Sequence, residues 1–268
     1  MRGAWGVTPP ILCYHKVDTR FELGFTLLGP RVFRRHIEAL ARAGYAGVGS
    51  ESLLLRTAHH VPRTVCITFD DGYSGLAEHA FPVLADHGFK ALVFVITDWV
   101  GRENTWDVQY GWRKFHHLDW DTLGRWQERG VEVHSHGISH ARLTWLSDDA
   151  AAEELGRSRE AIAARLGGPP AGISYPYGAS DSRIRGLAVA AGYTLGFAGS
   201  STSVAGDAMM MPRQSVYPWD AFGVPLVMRD GTAGSAARGL ARFTNRCSVG
   251  TAAMQKLLGR GYLKAGDG

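Results

Sequence analysis

The chain has 268 residues, 45% of them apolar, and a formal net charge of +4. That length buries one large core, enough for a single α/β domain or two small ones. Its arginines are spread out rather than grouped with aromatics, which argues against a nucleic-acid partner, and the mild positive charge reads as ordinary solubilising charge.

Ile11 to Tyr14 predicts a strand ending at His15, and Arg31 to Ala43 a helix stopped at Gly44. Val65 to Phe69 is an unbroken β-branched and aromatic run, the mark of a strand buried on both faces. Tyr73 to His87 predicts a helix that Pro82 breaks or kinks. A strand Ala91 to Ile96, a helix Asp119 to Arg129 and a strand Val131 to Val133 follow. Ser147 is an N-cap for a long helix to Leu166, with Asp148 and Asp149 in its favourable first turn. Then come a strand Gly172 to Ser174, a helix Ser182 to Ala191 and a strand Thr194 to Phe197. Beyond Gly199 the pattern weakens, with elements expected near Met209 to Met211 and Ala221 to Met228.

About seven strand–helix units predict a parallel α/β fold, and the pattern fits a barrel and an open doubly wound sheet equally. No linker or repeat interrupts it, so residues 1–268 are expected to form a single domain. Cys13, Cys66 and Cys247 show no CxxC spacing, and their odd number argues against a disulfide framework. The opening residues lack the apolar core of a signal peptide, and no segment reaches about 18 uninterrupted apolar residues. The expectation is a protein without a membrane span, cytoplasmic by default, although an exported chain trimmed of its leader would read the same.

Two clusters carry chemistry. Asp70 and Asp71 sit side by side at the end of the Val65 strand, with Gly72 free to turn. Adjacent acids repel each other and call for a cation or an arginine, while on turn chemistry alone Asp-Asp-Gly is equally a solvated turn. After the Val131 strand come three histidines in seven residues, His134, His136 and His140. His136 and His140 can converge on one ion, and imidazole is the commonest nitrogen ligand of zinc. Two histidines and one carboxylate leave coordination positions open, the pattern of a catalytic metal site. If one aspartate binds the metal, its neighbour is free to take a proton from water.

These residues resemble the NodB-homology polysaccharide deacetylases, carbohydrate esterase family 4. The first family motif, TFDDG, stands unchanged at 68–72. The second, H-[ST]-x-x-H, is matched by His136 and His140 with Gly137 in place of the hydroxyl residue. The third, R-x-x-PYG, is matched in part by Ser174-Tyr175-Pro176-Tyr177-Gly178, with Ser or Tyr where the arginine would fall. The resemblance covers roughly residues 10–215 and leaves 216–268 unassigned.

It implies a distorted (β/α) barrel of about seven parallel strands and a hydrolase that removes N-acetyl groups from an N-acetylated glycan. It also implies a divalent metal, zinc (Zn2+) first with Co2+ or Ni2+ as alternatives. Asp71, His136 and His140 are then the metal ligands, Asp70 the base, and the Tyr177 N–H a donor to the oxyanion, with Pro176 and Tyr177 beside the substrate.

No histidine follows His140, so the acid that relatives carry late in the chain is absent there. Pro10 to His15, an apolar strand ending in histidine, resembles the circularly permuted poly-N-acetylglucosamine deacetylases, where that strand comes first. This makes His15 the general acid. Met211-Pro212-Arg213 resembles a late "PR" segment and offers Arg213 as the missing arginine. Among the tryptophans, Trp106 is the expected substrate contact. His59-His60 and His116-His117 read as solvated pairs. Two further readings stay open: deacylation (deformylation or O-acetyl ester cleavage) of a small lipid- or nucleotide-linked sugar, and a silent glycan-binding module. Nothing in the sequence specifies an oligomeric state.

Overall fold

The computed structural model describes residues 9–20, 22, 26–54, 63–107, 114–199 and 207–220, with 225, 228, 234–236, 239 and 240. His59-His60 and Cys247 lie outside them, as does the Ala221 to Met228 element apart from Pro225 and Met228. In chain order come β1 (Ile11–Tyr14), β2 (Lys16–Val17), β3 (Leu27–Leu28), α1 (Pro30–Arg42), β4 (Ala46–Gly47) and α2 (Ser50–Leu54). They are followed by β5 (Thr64–Phe69), α3 (Gly75–His79), α4 (Phe81–Asp86), β6 (Ala91–Val95), α5 (Trp120–Gln127), β7 (Val131–Ser135) and α6 (Asp148–Leu166). Last are β8 (Gly172–Ser174), α7 (Ser182–Ala190), β9 (Leu195–Gly199) and β10 (Met211–Ser215).

β5 to β10 pair in chain order, all parallel, and β1 closes the ring by pairing with β10 on one side and β5 on the other. The result is a closed barrel of seven parallel strands, and the open-sheet alternative is set aside. β4 pairs only with the start of β5, on the edge that β1 takes over further along. At that end α2 plugs the barrel: Leu53 joins the interior cluster, and Glu132 of β7 accepts the Ser50 N–H at 3.0 Å.

Strand parity sorts the side chains. Val65, Ile67 and Phe69 of β5 face outward into the core beneath α1, α3, α4 and α5, whereas Cys66 joins Ile11, Leu92, Phe94, Leu195, Phe197 and Met211 inside. A second outer cluster lies under α6 and α7. Both faces of each strand are buried, which explains why these runs show no polar alternation.

The Asp119, Ser147 and Asp181 side chains accept the capping N–H of α5, α6 and α7. The helix expected over Tyr73 to His87 is two helices that break at Ala80, and Pro82 falls in the first turn of the second, where its missing N–H costs nothing. No helix among the described residues is long and apolar enough to cross a membrane.

Candidate active site

The parity that turns Cys66 inward also turns Thr68 and Asp70 inward. It does the same for Cys13 on β1 and His15 just past it, His134 on β7 and His136 just past it, Ser174 on β8 and Arg213 on β10. Pairing of Tyr14 with Phe69 sets His15 level with Asp70, whose N–H donates to the Tyr14 carbonyl at 3.0 Å. His15, Asp70, His136 and Arg213 therefore meet at the carboxyl end of the barrel because each lies on an inward position of a strand or just past its end, while Trp106, His140 and Tyr177 come from the loops that follow.

Asp70 is held by a fork. Arg213 donates from Nη1 to Oδ1 at 2.6 Å and from Nη2 to Oδ2 at 2.7 Å, and Nη2 also donates to Ser174 Oγ at 2.8 Å. Ser174 is thus a partner of the arginine that reaches Asp70 from β10, whereas the R-x-x-P spacing puts the motif arginine's own place at Ile173, which packs in an outer cluster. Burial by itself would raise the Asp70 carboxyl. The Arg213 guanidinium, helped by His136 and His15, outweighs it and holds the group well below the usual carboxylate range. Cys13 Sγ lies 3.6 Å from Asp70 Oδ2, and burial pushes its thiol well up. Burial brings His15 down to about 4, against the opposing pull of Asp70.

Asp71 takes a left-handed backbone at φ 68°, with His140 at φ 63° and Tyr177 at φ 60°. These are three of the four described non-glycine residues at positive φ, so the unfavourable conformations gather at this mouth. Asp71 Oδ1 is 3.5 Å from His136 Nε2 and 3.6 Å from His140 Nε2, and one ligand atom from each residue lies within 4.8 Å of the others. His136 donates its Nδ1–H to the Ser174 carbonyl at 2.7 Å, leaving the Nε2 lone pair for the cluster.

Burial, then the neighbouring Asp70 charge, pushes the Asp71 carboxyl well above its ordinary value. Its Oδ1 has no hydrogen-bond partner among the described residues. A buried, partnerless carboxylate oxygen facing two imidazole nitrogens fits a divalent cation, and the N,N,O donor set suits zinc. Cys13, His15 and Asp70 form a second group within the same spacing, but Arg213 already neutralises Asp70, so this group does not suit a cation.

Trp106 is buried, its ring 4.3 Å from that of His140 between centroids, while Tyr177 meets the His140 ring edge-on at 4.7 Å. The expected substrate contact is thus packed against a candidate ligand. Pro176 is buried at the start of the turn that carries Tyr177. The Gly178 backbone lies so close to β9 that a β-carbon on it would come within 2.7 Å of the Gly199 nitrogen.

One expectation fails outright. His116 is exposed, but His117 is buried: it donates Nδ1–H to the Asp71 carbonyl at 2.8 Å and accepts the Trp106 indole N–H at 3.3 Å. Burial lowers it to about 4, which keeps it neutral in this bridging role. The doublet reads as solvated because nothing in its spacing reveals that its backbone bridges to Tyr73 beside the paired acids.

The polysaccharide deacetylase family profile matches residues 58–196. YxkH of Bacillus subtilis is 29% identical over 191 residues, covering 70% of this chain and 63% of that protein. The poly-beta-1,6-N-acetyl-D-glucosamine N-deacetylase of Staphylococcus aureus is 27% identical over 150 residues, covering 50% of this chain and 47% of that protein. The chain thus spans about half to two thirds of the length of these curated relatives. The structure of the Streptococcus pyogenes deacetylase PplD superposes with a TM-score of 0.73 at 20% identity, over 84% of this chain and all of that one, and so shares the fold.

Proposed function

Because this chain belongs to the polysaccharide deacetylase family, we propose that it hydrolyses N-acetyl groups on an N-acetylated glycan, with residues 10–215 carrying the site of a single catalytic domain. The observation that carries the reading is the meeting of Asp71, His136 and His140 beside an Asp70 clamped by Arg213, with His15 alongside. Similarity to the Staphylococcus aureus enzyme supports a β-linked N-acetylglucosamine polymer as the substrate class. The Arg213 clamp removes the main ground for a silent binding module, which was the missing motif arginine.

Asp71, His136 and His140 would hold the cation, Zn2+ before Co2+ or Ni2+. When bound, it supplies Lewis acidity, acidifying water and polarising the acetamide carbonyl. Asp70, kept ionised by Arg213, takes a proton from the attacking water while the water oxygen bonds to the carbonyl carbon. The Tyr177 N–H donates to the oxygen that gains charge. His15 is neutral at rest and has a ring nitrogen within 4.8 Å of Asp70. It receives the proton from Asp70 and gives it to the amide nitrogen as the C–N bond breaks, leaving acetate and a free amine. Pro176 and Trp106 shape the mouth around the acetamide.

The test is acetate release from N-acetylated oligosaccharides, lost on chelation and restored by Zn2+ or Co2+. Full activity in Asp71→Asn or His136→Ala protein would defeat the metal assignment. A preference for monosaccharide acetamides over chito-oligosaccharides would move the substrate to a small sugar.

A further inference from the structure

Only Gly137, Ile138 and Ser139 separate the two histidines, and all three of their amides are held by side chains that lead to α6. Ile138 and Ser139 N–H both donate to Glu154 Oε2, at 2.7 and 3.2 Å, and the Ser139 hydroxyl donates to Oε1 at 2.5 Å. Gly137 N–H donates to Ser135 Oγ at 3.1 Å, and Ser135 Oγ in turn donates to Ser158 Oγ at 2.8 Å. Glu154 and Ser158 are one helical turn apart, so a single face of α6 presents both anchors. From the opposite side, Thr97 and Asp98 N–H donate to the Gly137 and Ile138 carbonyls at 3.1 Å each.

Gly137 has φ 83°, which lets successive amides turn into one anion-binding concavity, and the Glu154 carboxylate lies there. A β-carbon at 137 would come 3.0 Å from Glu154 Oε2. The glycine that departs from the H-[ST]-x-x-H pattern therefore leaves the space this carboxylate occupies.

We infer that Glu154 is a positioning residue that sets the separation of His136 and His140, and through it the affinity of the Asp71–His136–His140 cluster for a divalent cation. The inference rests on the metal-site reading above. It acts at one remove: Glu154 touches neither histidine ring, and fixes the short backbone bridge from which both project. A ligand loop held by three amides and two carbonyls presents its nitrogens already spaced, so binding does not first have to order the loop.

The experiment measures Zn2+ affinity by competition with a chromophoric chelator, for wild type, Glu154→Ala, Glu154→Gln and Glu153→Gln. Glu153 is the exposed neighbour, paired with Arg157 at 2.8 Å, and serves as the charge control. Glu154→Ala is expected to weaken Zn2+ binding on the order of 10–100-fold. Glu154→Gln should weaken it less, and Glu153→Gln should leave it unchanged. The visible d–d bands of the Co2+-loaded protein should change for the Glu154 variants alone.

Folded Glu154→Ala protein with wild-type affinity and an unaltered Co2+ spectrum overturns the inference. Should neither Glu154 variant fold, Ser139→Ala removes only the Oε1 contact. Weaker binding in that variant supports the inference and unchanged binding overturns it. A wild-type protein that binds neither metal is a different result, since it defeats the metal site itself.

Discussion

Asp70 and Arg213 are both almost fully buried, and together they make a bidentate carboxylate–guanidinium pair. Such a pair adds little to stability relative to an apolar replacement, but removing one member strands the other charge away from water. Arg213→Met should therefore destabilise the fold by about 3–5 kcal/mol in urea denaturation. The double variant with Asp70→Asn should recover part of that loss, and strictly additive losses would disprove the coupling. Lysine is no substitute, because one ammonium cannot span both Asp70 oxygens and Ser174. Of the site residues, the carboxylates and the histidine pair were legible because their chemistry is costly without a partner. His117 was not legible, since its role depends on where a loop returns rather than on its neighbours in sequence.

At the scale of elements, β1 and β8 are legible residue for residue, and β5, β6, β7 and β9 to within two residues at either end. β10 is legible only as an element near Met209 to Met211, because MPRQS has neither alternation nor a hydrophobic run. The reason is functional: its central inward position carries Arg213, where β6 and β9 carry Phe94 and Phe197. Elements of two residues, β2, β3 and β4, are too short for any period to register.

The turn after β8 shows how closely elements can meet. Gly178 and Gly88 have nearly the same φ, 63° and 67°, but a β-carbon at 88 would meet nothing within 4 Å, whereas at 178 it would strike the β9 backbone. Gly88→Ala should cost the conformational penalty alone, about 1 kcal/mol, and Gly178→Ala a further 1–3 kcal/mol for the clash. Thermal unfolding of the two variants separates the contributions, and equal losses would mean that β9 yields.

Across the whole molecule, buried neutral histidines shape the pH response. His36 is fully buried on α1, donates Nε2–H to the Asp220 carbonyl at 2.5 Å, and is lowered by burial to about 4. Below about 6.5 the unfolded chain takes up a proton that the folded chain refuses, so stability falls as the pH drops from about 6.5 towards 4. The loss reaches about 3 kcal/mol for this residue, and His117 acts in the same direction. Asp70 behaves differently: its depressed folded value preserves its contribution through this window, to be lost only at lower pH. Urea midpoints at several pH values for wild type and His36→Gln check the account, and an unchanged slope in the variant removes His36 from it.

The barrel closes along one seam, where β1, among the earliest described residues, lies between β5 and β10, nearly two hundred positions later. A chain emerging from the ribosome can lay β1 against β5 early, placing His15 beside Asp70 at once. Asp70 must then wait, its charge unanswered, until Arg213 has been made. Assembly of the site and closure of the barrel are therefore the same late event in the life of the nascent chain, and the long separation across the seam makes that step slow. A truncated product that stops before β10 would carry both acids and the three site histidines, His15, His136 and His140, yet lack the guanidinium that keeps the first acid ionised.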